Sequence, residues 1–154
     1  MSTSRHPNIP EDHEHLLDSP LATEMQFLLA RATARGSGHA NQALASLGIK
    51  VRQYSVLSLA CSESKLTQRE LALFLGLDPS QVVGIVDQLQ LQGLVERTPD
   101  PTDKRSRIIS ATHKGRQLYQ QAQAITHASE NHTLAPLTPG ERALLLELLI
   151  KIAF

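Results

Sequence analysis

Apolar positions recur at helical spacing along most of this chain. The first such stripe, Leu21, Met25, Leu28, Leu29 and Ala32, follows Ser19-Pro20, a serine cap with proline in the first turn. Gly36 and Gly38 interrupt it, each costing about 1 kcal/mol relative to alanine, so a kink is expected before helix resumes over residues 41–47 and ends at Gly48. A second helix is predicted over residues 51–61, with Tyr54, Leu57, Ala60 and Cys61 on one face. Thr67-x-x-Glu70 is a capping box opening a short helix with the stripe Leu71, Ala72, Leu75, and Gly76 stops it. Asp78-Pro79, with Gln81 two residues after the proline, opens another helix whose buried face is Val82, Ile85, Val86 and Leu89, and Gly93 ends that one. Residues 94–98 and 107–111 are rich in β-branched side chains and read as two short strands. Thr112 caps a mostly polar helix over residues 113–131, with a sparse stripe at Leu118, Ala122 and Ile125. Thr138-Pro139-Gly140-Glu141 opens a last helix, apolar on nearly every side through Leu144, Leu145, Leu146, Leu148, Leu149, Ile150 and Ile152. A helix of that kind needs burial all round, which a terminal helix of a small domain obtains most simply from a second copy of the chain.

Two short helices joined through a glycine-bearing turn form a helix-turn-helix. A hairpin following directly makes it a winged helix. The fold expected is mainly α with a small β-hairpin wing: a winged helix-turn-helix over residues 48–112, dimerisation helices over residues 19–47 and 113–154, and a flexible acidic tail over residues 1–18.

Composition narrows what such a fold does. At 154 residues and 41% hydrophobic content the chain holds one real core, and with only 3% aromatics that core is aliphatic. Few aromatics also argue against stacking on single-stranded nucleic acid. The single cysteine fits a reducing compartment. There is no apolar run near the roughly 18–20 residues a bilayer span requires and no apolar leader at the start, so a cytoplasmic location without membrane contact is expected. Net charge is zero but unevenly spread: residues 93–116 carry six basic residues against three acids, and residues 1–24 one base against five acids. The basic part coincides with the hairpin, whose tip "TPDPTDKRSR" is stiffened by Pro99 and Pro101. A basic hairpin beside a helix-turn-helix points to double-stranded DNA. On the helix from Pro79, the polar positions are Ser80, Gln81, Gly84 and Gln88. Glutamine bonds bidentately to adenine N6 and N7, serine to several base edges, and Gly84 permits close approach; the plain alternative is a solvated surface. Thr67 and Gln68, at the start of the preceding helix, are candidates for phosphate contact.

The sequence around the hairpin resembles the MarR family of winged-helix transcriptional regulators. The resemblance spans about residues 20–152 and is carried by Leu89…Gly93-Leu94-Val95-Glu96-Arg97, Pro101-x-Asp103-Lys104-Arg105 and Ser110-Ala111-Thr112-x-x-Gly115, with Ser110 standing where the family usually has an aliphatic residue. It implies a homodimer on a palindromic operator, with the helix from Pro79 in the major groove. The family pattern also implies that Asp103 orients Arg105 toward the minor groove, with Lys104 and Arg107 near phosphates and Arg97 tying the wing to the domain. It implies a repressor released by a small phenolic or lipophilic effector lodged between the dimer helices and the DNA-binding part; Arg35, His39, Gln53, Tyr54 and Ser58 are candidates for its lining. Cys61 lies in an apolar stripe and reads as a buried thiol rather than a peroxide sensor. No cofactor is implied. His13-Glu14-His15 lacks the ligands to close a metal site, and no hydrolase or nucleotide-binding motif is present, so an enzyme is not expected. The competing readings are a winged-helix protein–protein module without sequence-specific DNA binding, its hairpin on an acidic partner, and a small helical hydrolase or transferase.

Overall fold

The computed structural model describes residues 9–103 and 105–154. The described residues form six α-helices and a three-stranded antiparallel sheet: α1 (Met25–Leu44), α2 (Val51–Ala60), β1 (Leu66–Thr67), α3 (Gln68–Leu75), α4 (Pro79–Leu91), β2 (Val95–Pro99), β3 (Arg107–Ala111), α5 (His113–Thr133) and α6 (Pro139–Ala153). Short 3-10 turns cover Glu11–Asp18, Pro20–Thr23 and Ala45–Leu47.

The start of the chain differs from expectation. Of the tail expected over residues 1–18, residues 1–8 lie outside the described residues, and Glu11–Asp18 winds into 3-10 helix. Its apolar side chains Leu16 and Leu17 gather with Leu21 about Phe27 and Leu28 of α1, around a cavity of about 380 Å³. Ser19 and Pro20 open only the 3-10 turn Pro20–Thr23, and the serine side chain makes no cap bond there; its hydroxyl donates to the Leu16 carbonyl (2.7 Å), and the α-helix begins at Met25. α1 runs unbroken through Gly36 and Gly38. Packing along α5 outweighs glycine's weak propensity. At Gly36 the close neighbour is the Thr133 methyl, which an added Cβ would meet at 3.8 Å.

The helix-turn-helix follows its local signals. Thr67 accepts the Glu70 N–H (3.3 Å), while the Glu70 carboxylate accepts the Thr67 N–H (2.7 Å). Gly76 and Gly93 close their helices with φ of 60° and 71°, a region that penalises any side chain. α2 is held by two polar groups that sequence spacing did not reveal. Asn41 on α1 accepts the Val51 N–H (2.8 Å), and Gln53 accepts the Lys50 N–H (2.9 Å).

The first strand of the hairpin is shifted by one residue from expectation and the second matches it; β3 lies in the middle of the sheet, between β2 and the unforeseen β1. Pro99 is tolerated as the last residue of the edge strand β2, opposite Arg107. The core is aliphatic: Leu44, Leu57, Leu71, Val82, Val86, Leu89 and Ile109 are essentially inaccessible. The far end of α5 extends to Thr133. By contrast, α6 buries nothing within the chain; Leu144, Leu146, Leu148, Leu149, Ile150 and Ile152 are all exposed.

Candidate nucleic-acid interface and effector cavity

Recognition-helix candidates divide between two faces of α4. Val82, Val86 and Leu89 face the core; at about 100° per residue, Ser80 and Gly84 lie opposite them, facing solvent. Nothing lies within 4 Å of a Cβ built on Gly84. Ser80 donates its hydroxyl to the Asp78 carboxylate (2.5 Å), which holds that carboxyl below its usual range. Gln81 and Gln88, expected to point outward with them, lie instead on the flank with Ile85 and Gln92. That flank lines a cleft of about 1040 Å³, shared with Asn41, Lys50 and Gln53. Gln81 uses its carbonyl oxygen to accept the Asp78 N–H (3.3 Å). Gln88 accepts from the Gln53 amide (3.2 Å). Thr67 is committed to its capping box, and Gln68 accepts from Arg97 Nε (3.3 Å).

Arg97 fixes the wing. Rising from β2, its guanidinium donates to Gln68 on α3 and to Gln90 and Asp87 on α4. Two further cations of the basic stretch are also structural. Lys114 donates to the Gln92 carbonyl (2.7 Å) and Arg116 to the Cys61 carbonyl (2.9 Å), each at a helix C-terminus where positive charge is favoured. That leaves Arg105 and Arg107, both exposed and without an ion pair among the described residues; Lys104 lies outside the described residues.

The tip is built from two aspartate turns. Asp100 accepts the Thr102 N–H (2.8 Å) and hydroxyl (2.7 Å), bonds that hold its carboxyl below the usual range. Asp103 accepts the Arg105 N–H (2.9 Å) and the Ser106 hydroxyl (3.2 Å). Among the described residues no ion pair joins Asp103 to the Arg105 guanidinium; through these bonds the aspartate braces the backbone under Arg105.

The remaining signature residues close the wing onto α5. Thr112 donates its hydroxyl to the Gly93 carbonyl (2.7 Å) and accepts the Gly115 N–H (3.0 Å). A Cβ on Gly115 would stand 2.0 Å from the Leu94 carbonyl oxygen.

A second cavity, of about 290 Å³, lies between α1, α2 and α5 and is bordered by Gly36, Val51, Tyr54, Thr126, Ser129 and Thr133. Of the expected effector residues only Tyr54 borders it. Its ring stacks on Tyr119 (5.7 Å), and burial pushes its phenol pKa up. Ser58 donates to the Tyr119 hydroxyl (3.2 Å), His39 bonds Thr133 (3.0 Å) beside His132, Gln53 belongs to the cleft along α4, and Arg35 borders neither space. The residue missed is Ser129. Among the described residues its buried hydroxyl has no hydrogen-bond partner, an arrangement that costs free energy unless something supplies one. The signal was a small hydroxyl continuing the Ala122–Ile125 stripe. Cys61 is half-buried, and burial raises its thiol pKa despite Arg116 nearby.

Comparison with known proteins agrees with this architecture. The MarR family model matches residues 47–106, the helix-turn-helix and most of the hairpin. The multiple antibiotic resistance protein MarR of Escherichia coli K12 is 30% identical over 112 residues, 72% of this chain and 77% of that protein. The chain belongs to the MarR family. A MarR family transcriptional regulator from Rhodococcus sp. RHA1 superposes with a TM-score of 0.83 at 40% identity, over 87% of this chain and 95% of that one. CouR from Rhodococcus jostii RHA1, solved bound to p-coumaroyl-CoA, superposes at 0.79 with 38% identity, over 87% and 94%. Among the described residues no helix is long and apolar enough to cross a membrane.

Proposed function

We propose that this MarR family chain is a dimeric, sequence-specific DNA-binding repressor released by a small aromatic effector. The observation that carries the reading is the Arg97 tie between β2, α3 and α4. It sets the basic wing and the recognition helix at one fixed spacing, as a rigid reader of adjacent grooves requires. Ser80, Gln81, Gly84 and Gln88 face or flank the major groove; Arg105, Arg107 and Lys104 reach the neighbouring minor groove and its phosphates; at the start of α3 Gln68 presents its backbone N–H to a phosphate, while Thr67, its own N–H held by Glu70, fixes that turn in place. Residues 48–112 form the DNA-binding part, and residues 19–47 and 113–154 the dimerisation helices, so that two wings address a palindrome.

The effector belongs in the cavity beside Tyr54. That space suits an aromatic ring against the Tyr54–Tyr119 stack, with a polar substituent on the unsatisfied Ser129 hydroxyl. The p-coumaroyl-CoA in CouR, 38% identical, supports a phenylpropenoid or related phenol as the acid or its thioester. The test is selection of bound duplexes from a random pool, followed by titration of the selected site with p-coumarate and p-coumaroyl-CoA. A palindromic consensus released by either compound is expected. No enriched sequence would overturn the DNA reading; an operator that neither compound releases would overturn the effector class. A Ser129→Val variant, which removes the hydroxyl and narrows the cavity, is expected to keep operator binding and lose release.

A further inference from the structure

The geometry points to Gln53 as a specificity-determining positioning residue: a buried side chain on α2 that sets which end of the Gln88 amide meets DNA. This role of Gln53 rests on the DNA-binding function proposed above. A side-chain amide has an accepting end and a donating end, and here the direction is imposed from the backbone. The Lys50 N–H can only donate, so the Gln53 group facing it, 2.9 Å away, is the carbonyl oxygen. The Gln53 NH2 is then the end that faces Gln88, 3.2 Å away, and the Gln88 group receiving it is the carbonyl oxygen. Gln88 is exposed, and its NH2 is the end left for a partner. A glutamine free at both ends reads adenine through N6 and N7. With its oxygen held toward Gln53, the Gln88 amide turns its NH2 hydrogens outward. Such a group suits guanine O6 and N7 or thymine O4, and meets adenine's amino group donor to donor. Gln53 is 8% exposed and stays behind Gln88, so its influence on the operator is exerted through this one hydrogen bond.

The substitution Gln53→Glu tests this with little change of shape. A glutamate still accepts the Lys50 N–H and suits the first turn of a helix. Its second oxygen can only accept, so it draws the Gln88 NH2 inward and turns the carbonyl oxygen toward DNA. Duplex selection from a random pool is run on the full-length wild type, Gln53→Glu and Gln88→Ala, with thermal melts to confirm folding. The wild type is expected to favour guanine or thymine at one symmetry-related pair of positions. Gln88→Ala lowers that preference by about threefold to tenfold at those positions alone, roughly the net worth of a hydrogen bond. Gln53→Glu moves the preference to the amino-bearing bases adenine or cytosine. Should Gln53→Glu melt early, Gln53→Met is used instead; it removes the donor, frees both ends of Gln88 and is expected to admit adenine. An unchanged consensus in the Gln53 variants overturns the inference, as does uniform weakening by Gln88→Ala, which marks a phosphate contact. A wild type that enriches no sequence overturns the DNA-binding reading itself, and the inference with it.

Discussion

Gly115 stands against the Leu94 carbonyl so closely that any Cβ overlaps it, 2.0 Å from the oxygen. The obstacle is backbone, and that backbone is itself held by the Thr112 N–H donating to the same carbonyl (3.0 Å). Gly115→Ala is therefore expected to cost about 3 kcal/mol, the upper end for overpacking a core, read from urea denaturation. A loss under about 1 kcal/mol would mean that α5 slides freely against β2. At the wing tip the question is what Asp103 does. Arg105→Ala is expected to weaken operator binding by about 1–3 kcal/mol, the range for a specific contact, measured by fluorescence anisotropy. Asp103→Ala weakens it too, through loss of the turn that accepts the Arg105 N–H and the Ser106 hydroxyl. Asp103→Asn decides the mechanism. Asparagine builds the same turn and removes a negative charge near phosphate, so this variant binds at least as tightly as wild type. If it binds as weakly as Asp103→Ala, the aspartate acts as a charge on the arginine and the backbone account fails.

Among the elements, α3 and α6 begin alike. Glu70 and Glu141 each sit three residues into a capping box and accept both the N–H and the hydroxyl of a threonine. Those bonds, the backbone one foremost, hold both carboxyls below their ordinary 4.5. A depressed folded pKa stabilises above the ordinary value and is lost as pH falls through the folded one. Melting temperature should thus decline with acid less steeply in a Glu70→Gln, Glu141→Gln double variant, which is less stable than the wild type at neutral pH and converges with it in acid; parallel acid limbs would rule out this source. Such caps are why the helix-turn-helix was legible. Thr67-x-x-Glu70, Gly76 and Asp78-Pro79 act within a few residues, so a local reading finds them. The two-residue β1 carries no period of its own and exists only because β3 pairs with it. Continuity of α1 through Gly36 and Gly38 is decided by α5, nearly a hundred residues away. The site divides the same way. Surface positions on α4 and the wing followed from the apolar stripe and the prolines, whereas the Gln53–Gln88 bond, the Arg97 ties and the unsatisfied Ser129 join separate elements and needed the fold.

At the scale of the molecule, α6 decides the assembly. A folded monomer seldom leaves a broad contiguous apolar patch in water, yet six large aliphatic side chains of α6 are exposed, together with Met25, Leu28 and Leu29 on α1. Polar residues on α6 are few, and the Glu147–Lys151 pair lies at the surface, so helix propensity alone does not account for so apolar a segment. A second copy would supply apolar cover of the same composition and, on the proposed DNA-binding reading, would by two-fold symmetry place two wings on one duplex. Sedimentation at micromolar concentration is expected to give about twice the 16.9 kDa chain. Replacing Leu148 and Ile152 together by glutamate puts charges into that contact and is expected to yield a helical monomer. Its operator affinity should fall by more than tenfold, since each half-site then binds alone. A wild-type chain that sediments as a compact monomer would remove the dimer and the palindrome together. A monomeric variant that still binds the full operator with wild-type affinity would leave the dimer standing but detach it from DNA recognition.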